Sequence, residues 1–180
     1  FTQGSLQETK NNLDVAINGN GFSEVTMPDG TLGYTRDGSF QVDAQGRLVT
    51  SSGLPVANGI TIPQGVTSVS ISADGIVSAL ISGNTQPQQL GSLAMSSFIN
   101  PAGLEPIGQN LFKESAASGQ PQQGTPGTNG LGFIKQGFLE SSNINVVEEL
   151  VNMIQTQRAY EMNSKAIQTS DQMLAKLSQL

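Results

Sequence analysis

The chain has 180 residues, enough for one domain or for one domain with an appendage. Its net charge is −6, from 14 acidic and 8 basic residues, and this balance argues against a nucleic-acid-binding protein, which needs a patch of Lys and Arg to displace counterions. The sequence contains no histidine, cysteine or tryptophan, which excludes disulfides, Ser-His-Asp and Cys-His catalysis, and any zinc site built on His or Cys.

The chain begins at Phe1-Thr2-Gln3-Gly4, without a methionine. We expect that an N-terminal element of the protein is missing ahead of this point. No apolar stretch reaches the length of about 18 residues that a transmembrane helix requires. We therefore expect no direct insertion into a membrane.

Short strands punctuated by turns are predicted for the first 142 residues, because apolar and polar residues alternate there between clusters of Gly, Pro, Asn and Asp. The predicted strands are Leu13–Ile17, Tyr34–Arg36, Ser39–Val42, Arg47–Thr50, Ile60–Ile62, Ser68–Ser72, Ile76–Leu80, Leu90–Phe98 and Phe133–Leu139. The two strands that flank Ala73-Asp74-Gly75 are predicted to form a hairpin, since Gly accepts the positive φ of such a turn. We expect residues 1–142 to form a mainly β domain of short antiparallel strands and hairpins.

Two stretches within this part lack a strand pattern. Asn100–Gly108 contains two prolines, and the residue before each proline is pushed away from the helical region, so this segment is predicted to be extended or looped. Ser115–Gly132 is rich in Ser, Gly, Pro, Gln and Thr, and it is predicted to be a long loop or linker.

The last part of the chain, residues 143–180, contains no glycine and no proline, whereas the preceding residues hold all 21 Gly and all 8 Pro. It is predicted to form one long α-helix with Asn143 or Asn145 as its cap. The full segment would be roughly 57 Å long at a rise of 1.5 Å per residue. The radius of gyration of a compact body of this size is only about 14 Å, so we expect the helix to need a partner.

Five apolar residues of this helix recur every seven residues: Val146, Met153, Tyr160, Ile167 and Leu174. Such a repeat is typical of a seam between packed helices. The predicted helix-assembly interface consists of Val146, Leu150, Met153, Tyr160, Ile167, Leu174, Leu177 and Leu180. Three arrangements are compatible with this pattern: the helix folds back on its own β body, lies on a membrane, or pairs with another helix. A membrane surface requires a basic polar face, for which the helix offers only Arg158, Lys165 and Lys176. We favour pairing with a helix from the missing N-terminal part or from a neighbouring subunit.

Carboxylates are the remaining candidates for chemistry. Asp37 with Asp43, or Glu148 with Glu149, supplies two acidic groups, but nothing in the sequence holds either pair at the separation that a glycosidase requires. The Asp-Gly turns do not follow the ligand spacing of an EF-hand. Turn and capping roles are therefore expected for these residues, and no catalytic, cofactor-binding or metal-binding residue is predicted.

Several runs of this sequence resemble the bacterial flagellar rod and hook family. In the tail they are Asn143–Ile154, Gln157–Glu161, Asn163–Lys165 and Ser170–Leu174, and upstream they are Leu13–Gly19, Gly21-Phe22, Tyr34–Phe40, Gly103–Gly108 and Asn110-Leu111. The resemblance covers nearly the whole chain and is greatest to the distal rod branch of the family. The run Glu148–Ile154 and the lack of a large inserted domain favour the distal rod over the hook.

This resemblance implies a structural subunit rather than an enzyme. Members of the family assemble helically, with N- and C-terminal helices in an inner coiled-coil layer and a β-rich domain outside, into a hollow drive shaft that transmits torque from the motor to the hook. The implied partners are other copies of the chain, other rod proteins, hook or hook-junction subunits, the ring proteins that form a bushing in the peptidoglycan and outer membrane, and the flagellar export apparatus. The implied location is the periplasm-spanning basal body, reached without a cleaved signal peptide.

One departure from the family pattern keeps alternatives open. The N-terminal helix, with its Asn-Asn-Leu-Ala-Asn type of motif, is absent from this sequence, which leaves the proximal rod and hook proteins as alternatives. From other classes, a surface adhesin or carbohydrate-binding module would bind through the loops near Pro101 or within Ser115–Gly132. An enzyme that uses carboxylates would depend on a single Asp or Glu.

Overall fold

The structure, a computed structural model, describes residues 3–143 and 146–177, with the side chains of 150–170 in the helical part. The chain divides into two compact units, Phe1–Ser142 and Asn143–Leu180. The first unit consists of short antiparallel strands, and the second contains one long helix. The predicted fold class, mainly β with a C-terminal helix, is confirmed.

The described residues of the first unit form fifteen strands. They are β1 (Leu6–Glu8), β2 (Val15–Asn18), β3 (Phe22–Thr26), β4 (Leu32–Thr35), β5 (Phe40–Val42), β6 (Leu48–Thr50), β7 (Val66–Ile71), β8 (Ile76–Ile81), β9 (Gln88–Ser92), β10 (Met95–Ser97), β11 (Glu105–Gly108), β12 (Leu111–Lys113), β13 (Gln122–Gly124), β14 (Phe133–Gln136) and β15 (Phe138–Glu140).

These strands pair into one large and several small sheets. The largest sheet has the order β11-β12-β4-β3-β10-β13, and a second sheet has the order β7-β8-β9. Three two-stranded ribbons, β1-β15, β14-β2 and β5-β6, complete the described part of the unit. All of these strand pairs are antiparallel, and β1 pairs with β15, so that the two ends of the body meet.

The predicted hairpin around Ala73-Asp74-Gly75 is confirmed as β7 and β8. Val69 lies opposite Ala79 and Ile71 opposite Val77, so that these four apolar residues share one face. Gly75 has a φ of +83°, a conformation that costs glycine no steric strain.

Two apolar clusters form the core of this unit. The larger one gathers residues from two of the ribbons, from the β7-β8-β9 sheet and from β10, including Ile17, Phe40, Leu48, Val77 and Met95. In the smaller one Tyr34 meets Phe98 edge-on, with ring centroids 4.8 Å apart, and Phe22 meets Phe98 in the same way at 5.9 Å. Edge-to-face pairs of this kind stabilise a core beyond their buried area.

The segment predicted as a loop or linker, Ser115–Gly132, is packed onto the body instead. It contributes β13, which extends the large sheet beyond β10, and it buries Ser118 and Leu131. Composition favoured a loop because Gly, Pro and Ser dominate the segment, but one apolar side chain and a short backbone pairing suffice to dock it.

Three smaller boundaries also differ from the sequence predictions. The strand predicted at Leu90–Phe98 is interrupted between β9 and β10, and Asn100–Gly108 forms a short 3₁₀ turn at Pro101–Gly103 followed by β11. At Ile60–Ile62 the structure contains only an isolated bridge between Thr61 and Arg47. At this last segment a single-residue pairing replaces a regular ladder.

The helix of the second unit, α1, spans Val146–Leu177, and Asn145, one of the two predicted caps, lies outside the described residues. Uninterrupted helix is expected from a segment without glycine or proline. Within the part of the chain that the structure describes, no helix is both long and apolar enough to cross a membrane.

Candidate assembly interface

The predicted seam lies on α1, which has 32 residues and is therefore about 48 Å long. Residues seven apart on a helix are offset by only about 20° around the axis, so Met153, Tyr160 and Ile167 lie in one row. These three side chains and Leu150 are 51–78% exposed. Helices in proteins gain most of their stability from the packing of an apolar face, and these side chains are exposed.

The remaining seam residues cannot be placed in the same way. The side chains of Val146, Leu174 and Leu177 and the whole of Leu180 lie outside the described part of the structure. The assembly interface of eight residues therefore stays a prediction, of which the structure describes the central part.

The opposite side of α1 carries polar and apolar residues, since Val151 and Met162 also lie about 180–200° around the axis from Tyr160. Gln155 lies about 140° around the axis from Tyr160, and Thr169 lies about 200° from Ile167. Both are exposed, and the Thr169 hydroxyl donates to the Lys165 carbonyl oxygen at 2.8 Å. The apolar row therefore lies on a helix with apolar residues on other sides as well, and Gln155 and Thr169 are polar positions outside the row.

In the β body, an ion pair between Arg36 and Glu140 ties the residue that follows β4 to the end of β15. Arg36 Nε and Nη2 donate to Glu140 Oε2 at 2.9 and 2.8 Å, and the two side chains are only 18% and 12% exposed. Glu140 Oε1 accepts a further bond from the Gly4 backbone N–H at 2.8 Å. We call the four residues Gln3, Gly4, Arg36 and Glu140 the terminal clamp.

The other side of the clamp is a glycine turn. Arg36 Nη1 donates to the carbonyl oxygens of Gly19 and Gly21 at 3.1 and 3.0 Å, and Gly19 N–H donates to Gln3 Oε1 at 3.2 Å. Gly19 and Gly21 have φ values of +115° and +127°, which other residues rarely adopt. The clamp therefore fixes the N-terminal end of the body, the β2–β3 turn and the end of β15 in one place.

A second buried polar group, Glu24, ties the docked segment to the large sheet. Its carboxylate accepts from the Ser96 hydroxyl and from Gln123 Nε2, the latter at 2.9 Å. Burial, together with the negative charges of Glu24 and Glu114, raises the pKa of the neighbouring Tyr34 to about 12. Sequence reasoning missed Glu24, since nothing along β3 marks it as buried.

The carboxylates weighed for catalysis have turn roles. Asp37 Oδ1 accepts from the backbone N–H and the hydroxyl of Ser39 at 3.0 and 2.6 Å. Asp43 accepts from Arg47 Nε at 2.8 Å and from the backbone of the same turn. The side chains of Glu148 and Glu149 lie outside the described residues. Among those that are described there is no group of three or more acidic side chains that could hold a metal ion.

Two protein-family models match this chain. Residues 16–79 match the D1 domain of the flagellar hook protein FlgE/F/G family, and residues 135–180 match the C-terminal region of flagellar basal body rod FlgEFG proteins. These two regions contain the Arg36 and Glu140 halves of the terminal clamp, respectively.

Curated relatives extend the similarity over the whole chain. The flagellar basal-body rod protein FlgG of Buchnera aphidicola subsp. Acyrthosiphon pisum is 58% identical over 179 residues, which cover 99% of this chain and 69% of the relative. FlgG of Borreliella burgdorferi is 53% identical over 97% of this chain and 66% of the relative. The chain belongs to the FlgG family of flagellar basal-body rod proteins.

The match to a hook protein of the wider family is shorter and less identical. The hook protein FlgE of Borreliella burgdorferi is 40% identical, but over 110 residues, 61% of this chain and 25% of the hook protein. The resemblance to the distal rod that the sequence motifs indicated is confirmed, and the hook alternative is the weaker match. FlgG proteins are structural subunits of the basal body, which is also the location that this membership gives the chain.

Proposed function

We propose that this chain, a structural subunit of the distal flagellar rod, polymerises helically into a hollow shaft that carries torque from the motor to the hook. FlgG membership supports self-assembly and contact with other axial proteins of the flagellum. The observation that carries the proposal is the open apolar row of α1, because the described residues of the second compact unit include no other element to cover it.

The two units have different roles in this proposal. Residues 143–180 form an assembly helix that pairs with helices of other chain segments or copies, through Val146, Leu150, Met153, Tyr160, Ile167, Leu174, Leu177 and Leu180. Residues 1–142 form the β-rich outer domain. The division is supported by the separation of the chain into two compact units and by their opposite compositions, one rich in glycine and the other without any.

Further partners and the route of the subunit follow from the family resemblance. The rod subunits cross the periplasm, turn within ring proteins of the peptidoglycan and outer membrane, and contact other rod proteins and hook or hook-junction subunits. They arrive through the flagellar export apparatus without a cleaved signal peptide.

The test is a charge introduced into the apolar row of the full-length protein. Tyr160→Asp with Ile167→Asp places two carboxylates at buried positions of a paired helix, and the resulting loss of assembly is expected to abolish swimming and to leave purified basal bodies without a distal rod. The matched control is Gln155→Asp with Thr169→Asp, which adds the same charge on the opposite side of the same helix. The control is expected to swim.

Normal swimming of the Tyr160 and Ile167 double variant would refute the proposal. Equal loss of swimming in both variants would show that added charge anywhere on α1 interferes, and it would also remove the support for a seam. Near-ultraviolet circular dichroism of Tyr34 checks that the β body of each variant is folded, because this tyrosine is fully buried in the smaller core cluster.

A further inference from the structure

The charged residues of this chain are distributed unevenly. Between Arg47 and Glu105 the chain carries a single charged residue, Asp74, which lies in the turn between β7 and β8. The whole β7-β8-β9 sheet falls in this interval, and its strands contain no Asp, Glu, Lys or Arg. Charged residues normally make up about a quarter of a protein, so this sheet stands out.

One face of this sheet belongs to the core, and the other does not. Val77 and Ala79 are fully buried, and Val77 packs in the larger core cluster with Ile71. The strand register places Ser70 opposite Ser78, and Ser78 opposite Gln89, in a row across the other face. We call this side the neutral face; its members are Ser68, Ser70, Ile76, Ser78, Leu80, Gln89 and Ser92.

We propose that the neutral face is a contact surface between the β bodies of two copies of this chain in the assembled rod. The inference rests on the proposed self-assembly and adds the surface that the body contributes to it. Depletion of Lys, Glu and Asp is one compositional feature of the core of a protein interface. Removing hydroxyl and amide groups from water also costs less than removing charges.

The net charge of the chain selects a second copy as the occupant. Each copy carries −6, so copies in a polymer repel one another wherever their charged surfaces face. A face without charges is the surface on which two such copies meet without opposing like charges. A sugar polymer is the weaker candidate, because residues 66–92 contain no aromatic side chain on which a sugar ring would stack.

The size of the neutral face explains why this contact belongs to a polymer rather than to a free dimer. Three strands of about six residues cover roughly 20 Å by 14 Å, or about 280 Å². A stable pair of proteins buries about 800 Å² on each partner. The face alone is therefore too small, and it contributes once the assembly helices hold the bodies at a high effective concentration.

The experiment compares charged and neutral side chains of the same shape on the neutral face. In the full-length protein, Ser70→Glu with Ser78→Glu is expected to reduce the number of complete basal bodies per cell more than tenfold. Ser70→Gln with Ser78→Gln has the same bulk without charge and is expected to reduce it less than threefold. Ser51→Glu with Ser52→Glu adds the same charge at an exposed turn outside the sheet and is expected to assemble normally.

A photo-crosslinking amino acid at position 70, in cells with assembled flagella, identifies the occupant. The expected product has the mass of two subunits, and both of its crosslinked peptides come from this chain. A product that contains a ring protein or a glycan, or no product in motile cells, overturns the proposal. If the photo-crosslinking residue itself stops motility, the comparison of the Glu and Gln double variants at Ser70 and Ser78 tests the proposal.

The two proposals fail in different ways. Normal assembly of the Ser70 and Ser78 glutamate variant, with loss of assembly in the Tyr160 and Ile167 variant, overturns only the neutral-face contact. Normal assembly of both overturns the self-assembly role of the helix as well. Equal loss in the Glu and Gln variants shows that bulk rather than charge matters, and it likewise overturns a contact that depends on the neutrality of this face.

Discussion

Replacing Arg36 by glutamine tests whether the terminal clamp stabilises the β body. The substitution removes two bonds to Glu140 Oε2 and leaves that carboxylate, only 12% exposed, without its cation. Breaking a buried ion pair costs about 3–5 kcal/mol, and the partial exposure of this pair places its cost at the lower end, about 3 kcal/mol. For a body of this size the melting temperature is then expected to fall by about 10 °C.

The second ion pair in the described residues provides a matched control. Arg47 Nε lies 2.8 Å from Asp43 Oδ2, the same distance as in the clamp, but Arg47 is 51% exposed and the two residues share one turn. Because exposed pairs contribute little to stability, Arg47→Gln is expected to lower the melting temperature by no more than about 3 °C. Equal shifts of the melting temperature in the two variants would refute the argument that burial of the clamp determines how much its ion pair stabilises the body.

The assay is thermal unfolding followed by near-ultraviolet circular dichroism in a Tyr160→Phe background, where Tyr34 is the one remaining tyrosine. A double-mutant cycle with Glu140→Gln then measures the direct coupling, expected at about 2 kcal/mol. Arg36→Gln is expected to cost more than Glu140→Gln, since Arg36 also binds the Gly19 and Gly21 carbonyl oxygens. Strict additivity of the two changes would show that the ion pair itself contributes nothing.

Two further predictions concern the same body. The folded-state pKa of Tyr34, about 12, exceeds the ordinary tyrosine value of 10.0. The contribution of neutral Tyr34 to stability is therefore complete below pH 10 and is lost between about pH 10 and 12. In the Tyr160→Phe chain the phenolate absorbance is expected to rise together with unfolding, and a rise near pH 10 while the chain is still folded would contradict this. A methyl group at Gly38 would overlap the Val15 carbonyl oxygen, so Gly38→Ala is expected to cost more than about 3 kcal/mol in denaturant unfolding. Gly30→Ala meets no atom within 4 Å but has a φ of +81° and is expected to cost about 1 kcal/mol; equal costs would show that backbone strain alone sets the penalty.

Sequence reasoning succeeded where the signal is local. The β7–β8 hairpin combines strict alternation with an Asp-Gly turn, and α1 combines the absence of helix breakers with a seven-residue repeat, so a short window of sequence suffices for each. The carboxylates of Asp37 and Asp43 likewise hold their own turns, the role that was expected for them in place of catalysis.

The clamp and the docked segment could not be predicted in this way. Arg36 and Glu140 are separated by 104 residues, and no window contains both. Glu24 is buried because Ser96 and Gln123 reach it from two other strands, whereas a lone Glu in a strand indicates a solvent-facing position. The central seam residues are exposed, and their pairing with another helix stays a prediction.

The placement of charge links these features to assembly. In the described body, Arg36 and Glu140 neutralise each other within the clamp, Glu24 is buried among hydrogen-bond donors, and Asp43 is paired within its own turn. Two ion pairs thereby hold four charges of the described body locally, while the β7-β8-β9 sheet is left neutral and α1 presents an apolar row. In the proposed assembly, copies of a chain that carries −6 would pack through surfaces of these two kinds, since like charges at the contacts would oppose every added subunit.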